Sequence, residues 1–175
     1  MRIDTDRLIL VAASETLLRA ELADHRRLAV MLSAEVPHDW PPPLNDKDTL
    51  RWVLERMREQ KGSLGWISWY FLLRRYDGEK PLAIGVGGFR GLPAEDGTVE
   101  VGYSVRKENQ RAGYATEAVD ALVEWAFSNP GVTRVIAHTL PVLAPSIRVL
   151  EKNGFRFAGD GEEEGTILFE KLRPA

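Results

Sequence analysis

The 175-residue chain contains no cysteine. That absence excludes disulfides, thiolate metal sites and a cysteine nucleophile together, and it fits a reducing compartment. Histidine is scarce as well: His25, His38 and His138 are scattered without metal-ligand spacing, so no metal site is expected. Positive charge is not in excess, since 23 Lys and Arg face 26 Asp and Glu and the formal net charge is -3. A nucleic-acid partner, which needs a broad basic surface, is not expected. A local basic patch around Arg106, Lys107 and Arg111 is compatible with that balance. No stretch is apolar and long enough to span a bilayer, and the start Met1-Arg2-Ile3-Asp4-Thr5-Asp6-Arg7 lacks the apolar run of a signal peptide. The expectation is a cytoplasmic protein with no membrane partner. What is present, 44% hydrophobic and 28% charged residues, suits one globular domain over residues 1–175 with a substantial core.

Periodicity gives the element order. Leu8-Ile9-Leu10-Val11 reads as a buried strand, and Ser14 as the N-cap of a helix carrying Leu17, Leu18 and Leu22. A second helix through Leu28, Met31 and Leu32 is expected to stop at Pro37 and the Pro41-Pro42-Pro43 run. Asn45 or Asp46 caps a third, where Leu50, Val53, Leu54 and Met57 recur at helical spacing and Gly62 and Gly65 close it. The pattern then turns to strands: residues 66–73 up to an Asp77-Gly78 turn, residues 81–89, and, after an Asp96-Gly97 turn, residues 98–105. In the last of these Val99, Val101, Tyr103 and Val105 alternate with Thr98, Glu100, Gly102 and Ser104, giving one apolar and one polar face. Ala115, Ala118, Val119, Leu122, Val123 and Ala126 form a helical stripe ended by Pro130-Gly131. Residues 132–139 read as a strand, 145–153 as a short helix, and 155–158 with 166–170 as a closing strand pair. A strand-helix-strand crossover makes the Glu100 and His138 strands parallel. The fold class is α/β, a mixed sheet containing an antiparallel meander.

Chemistry concentrates between the Glu100 strand and the helix that opens near Gly113. A loop running into a helix start offers unpartnered N–H groups and partial positive charge, which is an anion site. Gly113 lacks a Cβ and lets a phosphate approach the backbone; Ala115 is small, Thr116 adds a hydroxyl and Arg111 a mobile charge. The competing reading is a plain helix start. A P-loop is excluded because Gly-x-x-x-x-Gly-Lys-Ser/Thr is absent. The glycines Gly85, Gly87 and Gly88 lie in a strand with no helix after it, so they suit a bulge or the close passage of another backbone rather than a dinucleotide fingerprint.

Gln110-x-x-Gly113-x-Ala115 resembles the acyl-CoA pyrophosphate loop of the GNAT superfamily of N-acetyltransferases. Val99-Glu100-Val101-Gly102-Tyr103-Ser104-Val105 with Gly113-Tyr114-Ala115-Thr116-Glu117-Ala118 is similar to the branch containing the ribosomal-protein N-acetyltransferases. Ser146-Ile147-Arg148-Val149-Leu150-Glu151-Lys152-Asn153-Gly154-Phe155 resembles that branch's second motif, and Thr5-Asp6-Arg7-Leu8 its opening strand. The resemblance implies the GNAT fold: a mostly antiparallel sheet whose central parallel pair splays apart, flanked by helices, with acetyl-CoA as co-substrate. Backbone groups of Tyr103, Ser104 and Val105 would bind the pantetheine arm, with Gly102 as a bulge that widens the splay. Residues Gln110, Arg111, Ala112, Gly113, Tyr114, Ala115 and Thr116 would hold the pyrophosphate. Dimers are common in the family, so a homodimer is the assembly it suggests.

Acetyl transfer to an amine needs a neutral nucleophile, oxyanion stabilisation and a proton for the thiolate. Glu100, on the polar strand face, is the first candidate base, ahead of Glu35 and Asp39; its competing role is a salt-bridged strand glutamate. A backbone N–H near Tyr103 or Ser104 would meet the oxyanion. Leu150 stands where many relatives carry a tyrosine acid, so the resemblance hands that role to Ser146, whose competing role is to cap a helix after Pro145. Leu143 replaces an asparagine that contacts the cofactor in relatives. His138 lines the gap with a structural role expected, and His25 is expected to be exposed. His38 and Trp40, among the prolines, are the candidate acceptor-site wall; Trp52 and at least one of Trp66 and Trp69 are assigned to the core. The expected activity is acetylation of a protein N-terminus, a lysine or a small amine. The alternatives are a non-catalytic acyl-CoA-binding regulatory module and a transferase of longer acyl groups such as succinyl.

Overall fold

Strands β2 (Leu8–Ala12) and β3 (Trp69–Leu73) are apolar at nearly every position because both of their faces are buried. Leu8, Leu10, Trp69 and Phe71 enter one core, whereas Ile9, Tyr70 and Leu72 enter a second on the opposite side of the sheet. The computed structural model describes residues 1–76 and 78–174, so Asp77 of the expected Asp77-Gly78 turn lies outside the described residues. These strands belong to an eight-stranded sheet in the order β1-β2-β3-β4-β5-β6-β8-β7. The remaining strands are β1 (Arg2–Asp4), β4 (Leu82–Phe89), β5 (Thr98–Val105), β6 (Arg134–Thr139), β7 (Arg156–Asp160) and β8 (Ile167–Leu172). All neighbours are antiparallel except β5 and β6. The expected α/β class and the single parallel pair are both present.

Helices close the two faces. Helices α1 (Glu15–Ala23), α2 (His25–Leu32) and α3 (Lys47–Glu59) build the second core with Leu18, Leu28, Leu50, Val53 and Leu54. Ser14 caps α1, accepting from Leu17 N, and Asp46 caps α3, accepting from Asp48 N and Thr49 N. Helix α2 ends at Leu32, where Ser33 takes a left-handed conformation, so it stops before the prolines that were expected to stop it. Helices α4 (Tyr114–Phe127) and α5 (Ala144–Lys152) cover the first core. Trp66 lies before β3 rather than in it; with Trp69, Phe89 and Trp125 it forms an aromatic cluster. Trp52 does not enter the core as expected: it is 49% exposed.

The glycines of β4 do both things expected of them. Opposite β3 the register shifts between Phe71 and Leu72, whose partners are Gly85 and Ala83, so Ile84 is an extra, bulged residue. At Gly87 an added Cβ would stand 2.5 Å from the Phe71 ring and 2.9 Å from Gly102 O, so nothing larger fits between β3 and β5. The consequence for function lies on the polar face of β5. Helices α1 to α3 pack over β2 to β4, which leaves Glu100, Gly102 and Ser104 exposed or half-buried at the edge of that helical layer.

Candidate active site

Strands β5 and β6 pair only over Thr98–Arg134, Val99–Val135 and Glu100–Ile136. Beyond that fork, residues 101–105 pair with β4 alone and residues 137–139 with β8 alone, so the sheet opens. Arg90 N donates to Glu100 O at 3.0 Å and Arg106 N to Ile84 O at 2.8 Å, which turns the even-numbered backbone groups of β5 toward β4. Alternation then turns those of Val101, Tyr103 and Val105 into the opening. This corrects two expectations: the backbone of Ser104 faces β4 rather than the gap, and Gly102 is no bulge, since it pairs with Gly88 in an unbroken register. On the other lip, the buried hydroxyl of Thr139 has no hydrogen-bond partner among the described residues.

The loop after β5 is built to end at a helix start. Gln110 folds back so that its Nε2 donates to Val105 O at 2.9 Å, closing the end of the gap with a side chain. Arg111 and Gly113 have φ of 63° and 83°, and Gly113 occupies the N-cap of α4 with no side-chain cap over the first-turn N–H groups. The left-handed conformation at Gly113 is one that glycine adopts without strain. The opening strand docks here. Glu117, in the first turn of α4, accepts from Thr5 Oγ1 (2.6 Å), Arg7 N (2.8 Å) and Arg7 Nε (2.7 Å), and Arg7 Nη1 donates to Ala112 O at 2.8 Å. Burial pushes the Glu117 carboxyl up, but the hydrogen bonds from Thr5 and Arg7 outweigh it and hold it below its ordinary value. Arg7, Gly113, Thr116, Lys152 and Asn153 line a cleft of about 330 Å³ beside this helix start. The motifs around Thr5 and Glu117 were visible in the sequence, but their contact was not.

At the fork stands Glu100. Its Oε1 is hydrogen-bonded to His138 Nδ1 at 3.0 Å and ion-paired with Arg90 Nε at 3.0 Å, and among the described residues Oε2 accepts no hydrogen bond. A carboxylate oxygen accepts in this contact when His138 Nδ1 carries the proton, and among the described residues the buried His138 Nε2 has no partner. Across the gap, the Tyr103 hydroxyl lies 3.1 Å from Ser146 Oγ and 3.2 Å from Ser146 O. Burial pushes the Tyr103 phenol up, and the Ser146 hydrogen bond offsets part of that. Ser146 is not the cap of α5: Leu143 holds that position without a side-chain cap. Leu150 is fully buried and Leu143 is 46% exposed.

The sequence pattern described as "Acetyltransferase (GNAT) domain" matches residues 15–156. The chain belongs to the GNAT acetyltransferase family. It is 29% identical over 154 residues to the uncharacterized N-acetyltransferase YjdG of Bacillus subtilis, covering 87% of this chain and 88% of that protein. The fold is similar to that of a putative GNAT-family acetyltransferase from Bordetella pertussis, with a TM-score of 0.65, 25% identity and coverage of 98% and 99% of the two chains. It is also similar to RimL, a ribosomal L7/L12 alpha-N-protein acetyltransferase solved in complex with coenzyme A, with a TM-score of 0.63, 16% identity and 98% of each chain covered. The sheet with one splayed parallel pair is thus the GNAT fold that the motifs implied.

In this GNAT domain the proline segment differs from the expected acceptor wall. Trp40 is buried in the second core, 4% exposed, and its Nε1 donates to Glu21 Oε1 at 2.6 Å while its ring lies 6.3 Å from that of Tyr70. A tryptophan brings both apolar area and one donor, and here a buried carboxylate takes the donor. His38, by contrast, is exposed. Asp39 pairs with Arg106 Nη2 at 2.6 Å and Glu35 with Arg75 Nη1 at 2.6 Å, so both secondary base candidates are held in ion pairs. The Arg106 guanidinium also lowers the Asp39 carboxyl. Ser104 Oγ donates to Pro43 O at 2.8 Å and ties the proline segment to β5. Pro41, Pro42, Pro43, Arg106 and Lys107 line a second cleft of about 400 Å³. His25 is half-buried, not exposed as expected. Among the described residues no group of three or more His, Asp or Glu side chains could hold a metal ion, and no helix is long and apolar enough to cross a membrane.

Proposed function

We propose that this GNAT domain transfers the acetyl group of acetyl-CoA directly to a primary amine on a protein N-terminus, a lysine or a small molecule. The observation that carries the reading is Glu100 at the fork of the splayed strands, its Oε1 held by His138 and Arg90, with Oε2 accepting no hydrogen bond among the described residues. The gap fits an amide-bearing arm: the backbone groups of Val101 and Tyr103 point into it, and the Thr139 hydroxyl is an orphaned buried polar atom. In this reading Arg111, Ala112, Gly113, Tyr114, Ala115 and Thr116 hold the pyrophosphate through the α4 start. Gln110 and Ser104 support the site from behind, through Val105 O and Pro43 O.

Glu100 Oε2 takes a proton from the acceptor ammonium, and the neutral amine attacks the thioester carbonyl. The tetrahedral oxyanion meets a backbone N–H of the gap, for which alternation favours Tyr103. Collapse expels the CoA thiolate, which Ser146 Oγ protonates. Release of CoA thiol from acetyl-CoA, followed over alaninamide, Nα-acetyl-lysinamide, spermidine and hexapeptides beginning with Ala or Ser, tests the reading. Turnover with at least one class is expected. Tight CoA binding with no thiol release from any of them would instead indicate the non-catalytic acyl-CoA-binding module.

A further inference from the structure

The Tyr103 hydroxyl has crossed from β5 to α5, where it meets both the Oγ and the carbonyl of Ser146. We propose that Tyr103 recharges Ser146, so that the proton given to the departing CoA thiolate comes from a tyrosine–serine pair rather than from serine alone. The inference rests on the transferase reading above and gives the Tyr103 side chain a role beside that of its backbone.

Acid strength decides the matter. A thiol ionises near 8.5 and a phenol near 10, whereas a serine hydroxyl is an alkanol and does not titrate in water's working range. A thiolate therefore draws a proton from a phenol over a small energy gap and from an isolated serine over a much larger one. Burial pushes the Tyr103 phenol up, which keeps it in the protonated form while widening its gap to the thiol, and it is still a far stronger acid than an isolated serine. The transfer also moves a negative charge from sulfur to phenolate without creating one, so the desolvation costs of the two anions offset each other in part. The other residue to consider on α5, Leu150, is fully buried and carries no hydroxyl.

The step balances. As the C–S bond breaks, its electron pair leaves on sulfur; the Ser146 O–H proton passes to sulfur, and Oγ takes the proton of Tyr103. The acceptor ammonium gives up two protons: Glu100 takes the first and passes it to solvent, and the second, lost from nitrogen as the amide forms, is carried by water and restores the phenol. The sum is amide, CoA thiol and one proton. Tyr103 acts through Ser146 and is in that sense a positioning residue, whereas Ser146 touches the leaving group.

The test compares Tyr103→Phe, Ser146→Ala and the double variant with the wild type, using the acceptor panel above for kcat and calorimetry with CoA for Kd. Tyr103→Phe keeps the ring packed and removes only the hydroxyl. It is expected to lower kcat by about ten- to a hundredfold while the CoA Kd stays within about twofold. Members of one relay are not additive, so the double variant should lose no more than the slower single variant. A Tyr103→Phe kcat within about twofold of wild type would overturn the pair, as would multiplicative losses in the double variant or a loss confined to Kd. Should Tyr103→Phe fold poorly, Ser146→Ala still leaves the pair refutable, since a Ser146→Ala kcat within about twofold of wild type would overturn it, and a shift of the kcat pH profile in Tyr103→His would support it. Wild-type protein that binds CoA but releases no thiol with any acceptor would sink the transferase reading and the pair together, which separates the two failures.

Discussion

Replacing Glu100 by Gln tests the proposed base with little disturbance of the fold. The amide oxygen of Gln can still accept from His138 and lie beside the Arg90 guanidinium, the contacts now made by Oε1 at 3.0 Å, while Oε2, which accepts no hydrogen bond among the described residues, becomes an NH₂ group. The Arg90 side chain is 62% exposed, so the lost ion pair costs less than about 1 kcal/mol of stability. The chemical loss is set by the acceptor. At pH 7 a lysine amine of pKa near 10.4 is neutral in only about one molecule in 2,500, whereas an α-amine near 7.7–8.0 is neutral in roughly one in six to one in eleven. Without a base the enzyme must wait for the neutral form. Glu100→Gln should therefore lower kcat/KM by up to about three orders of magnitude with Nα-acetyl-lysinamide but by only about one with an alanyl peptide. With an arylamine or a hydrazine, neutral at the assay pH, the defect should shrink toward nothing. Thiol release at fixed saturating acetyl-CoA, with melting temperature as a fold control, reads all three. Equal losses for the lysine-type and arylamine acceptors, or no loss with any, would refute the base role.

Three other perturbations follow from the geometry. Gly113→Ala places a Cβ at a left-handed φ of 83° and 3.3 Å from Arg7 Nη2; it should cost about 1–2 kcal/mol by denaturant unfolding and weaken CoA binding by calorimetry. The Glu117 carboxyl is held below its ordinary 4.5, so its contribution to stability is complete above that value and is lost as pH falls through the lower folded value. Glu117→Gln should lose about 1–3 kcal/mol at pH 7 and show a flatter melting profile in acid. Glu21 is opposite in sign: burial raises its carboxyl despite hydrogen bonds from Tyr70 and Trp40, so stability is full below about 4.5 and falls as pH rises through the raised folded value. Gln at position 21 can accept from Trp40 and donate to the Tyr70 hydroxyl. Glu21→Gln should remove that fall, and a melting temperature that still declines over the same pH window would show the cause to lie elsewhere.

The parts of this structure legible in the sequence are those where a local rule acts alone. The alternation of Val99, Val101, Tyr103 and Val105 defines β5, and the stripe from Ala118 to Ala126 defines most of α4. Ser14 and Asp46 are caps whose chemistry needs no tertiary partner. The sequence reading failed where a distant group decides. β1 is three residues with no buried side chain, present because Arg2 to Asp4 find an edge along β2. Trp40, beside three prolines, reads as a surface residue until Glu21, nineteen positions earlier, supplies an acceptor for its indole N–H. The link from Arg7 to Glu117 spans 110 positions, and the one from Glu100 to His138 joins neighbouring strands that only the parallel pairing brings together.

One strand organises the two halves of the proposed chemistry, and its period of two explains how. In an intact sheet, successive side chains of β5 point to opposite faces, so Glu100 and Tyr103 could not act on one substrate atom. The fork removes that restriction. Once β6 leaves β5 beyond Glu100, a thioester lying in the opening is reachable from the polar face, where Glu100 and His138 stand, and from the α5 face, where Tyr103 meets Ser146. The proposed base and leaving-group acid are thereby kept apart by the strand itself, and neither can neutralise the other. A one-residue slip of β5 against β4 would exchange the two faces and bury Glu100 in the first core. The unbroken register from Gly85–Val105 to Phe89–Val101 is thus as much a part of the site as the side chains, and Gly87, with no room for a Cβ between Phe71 and Gly102, helps to hold it.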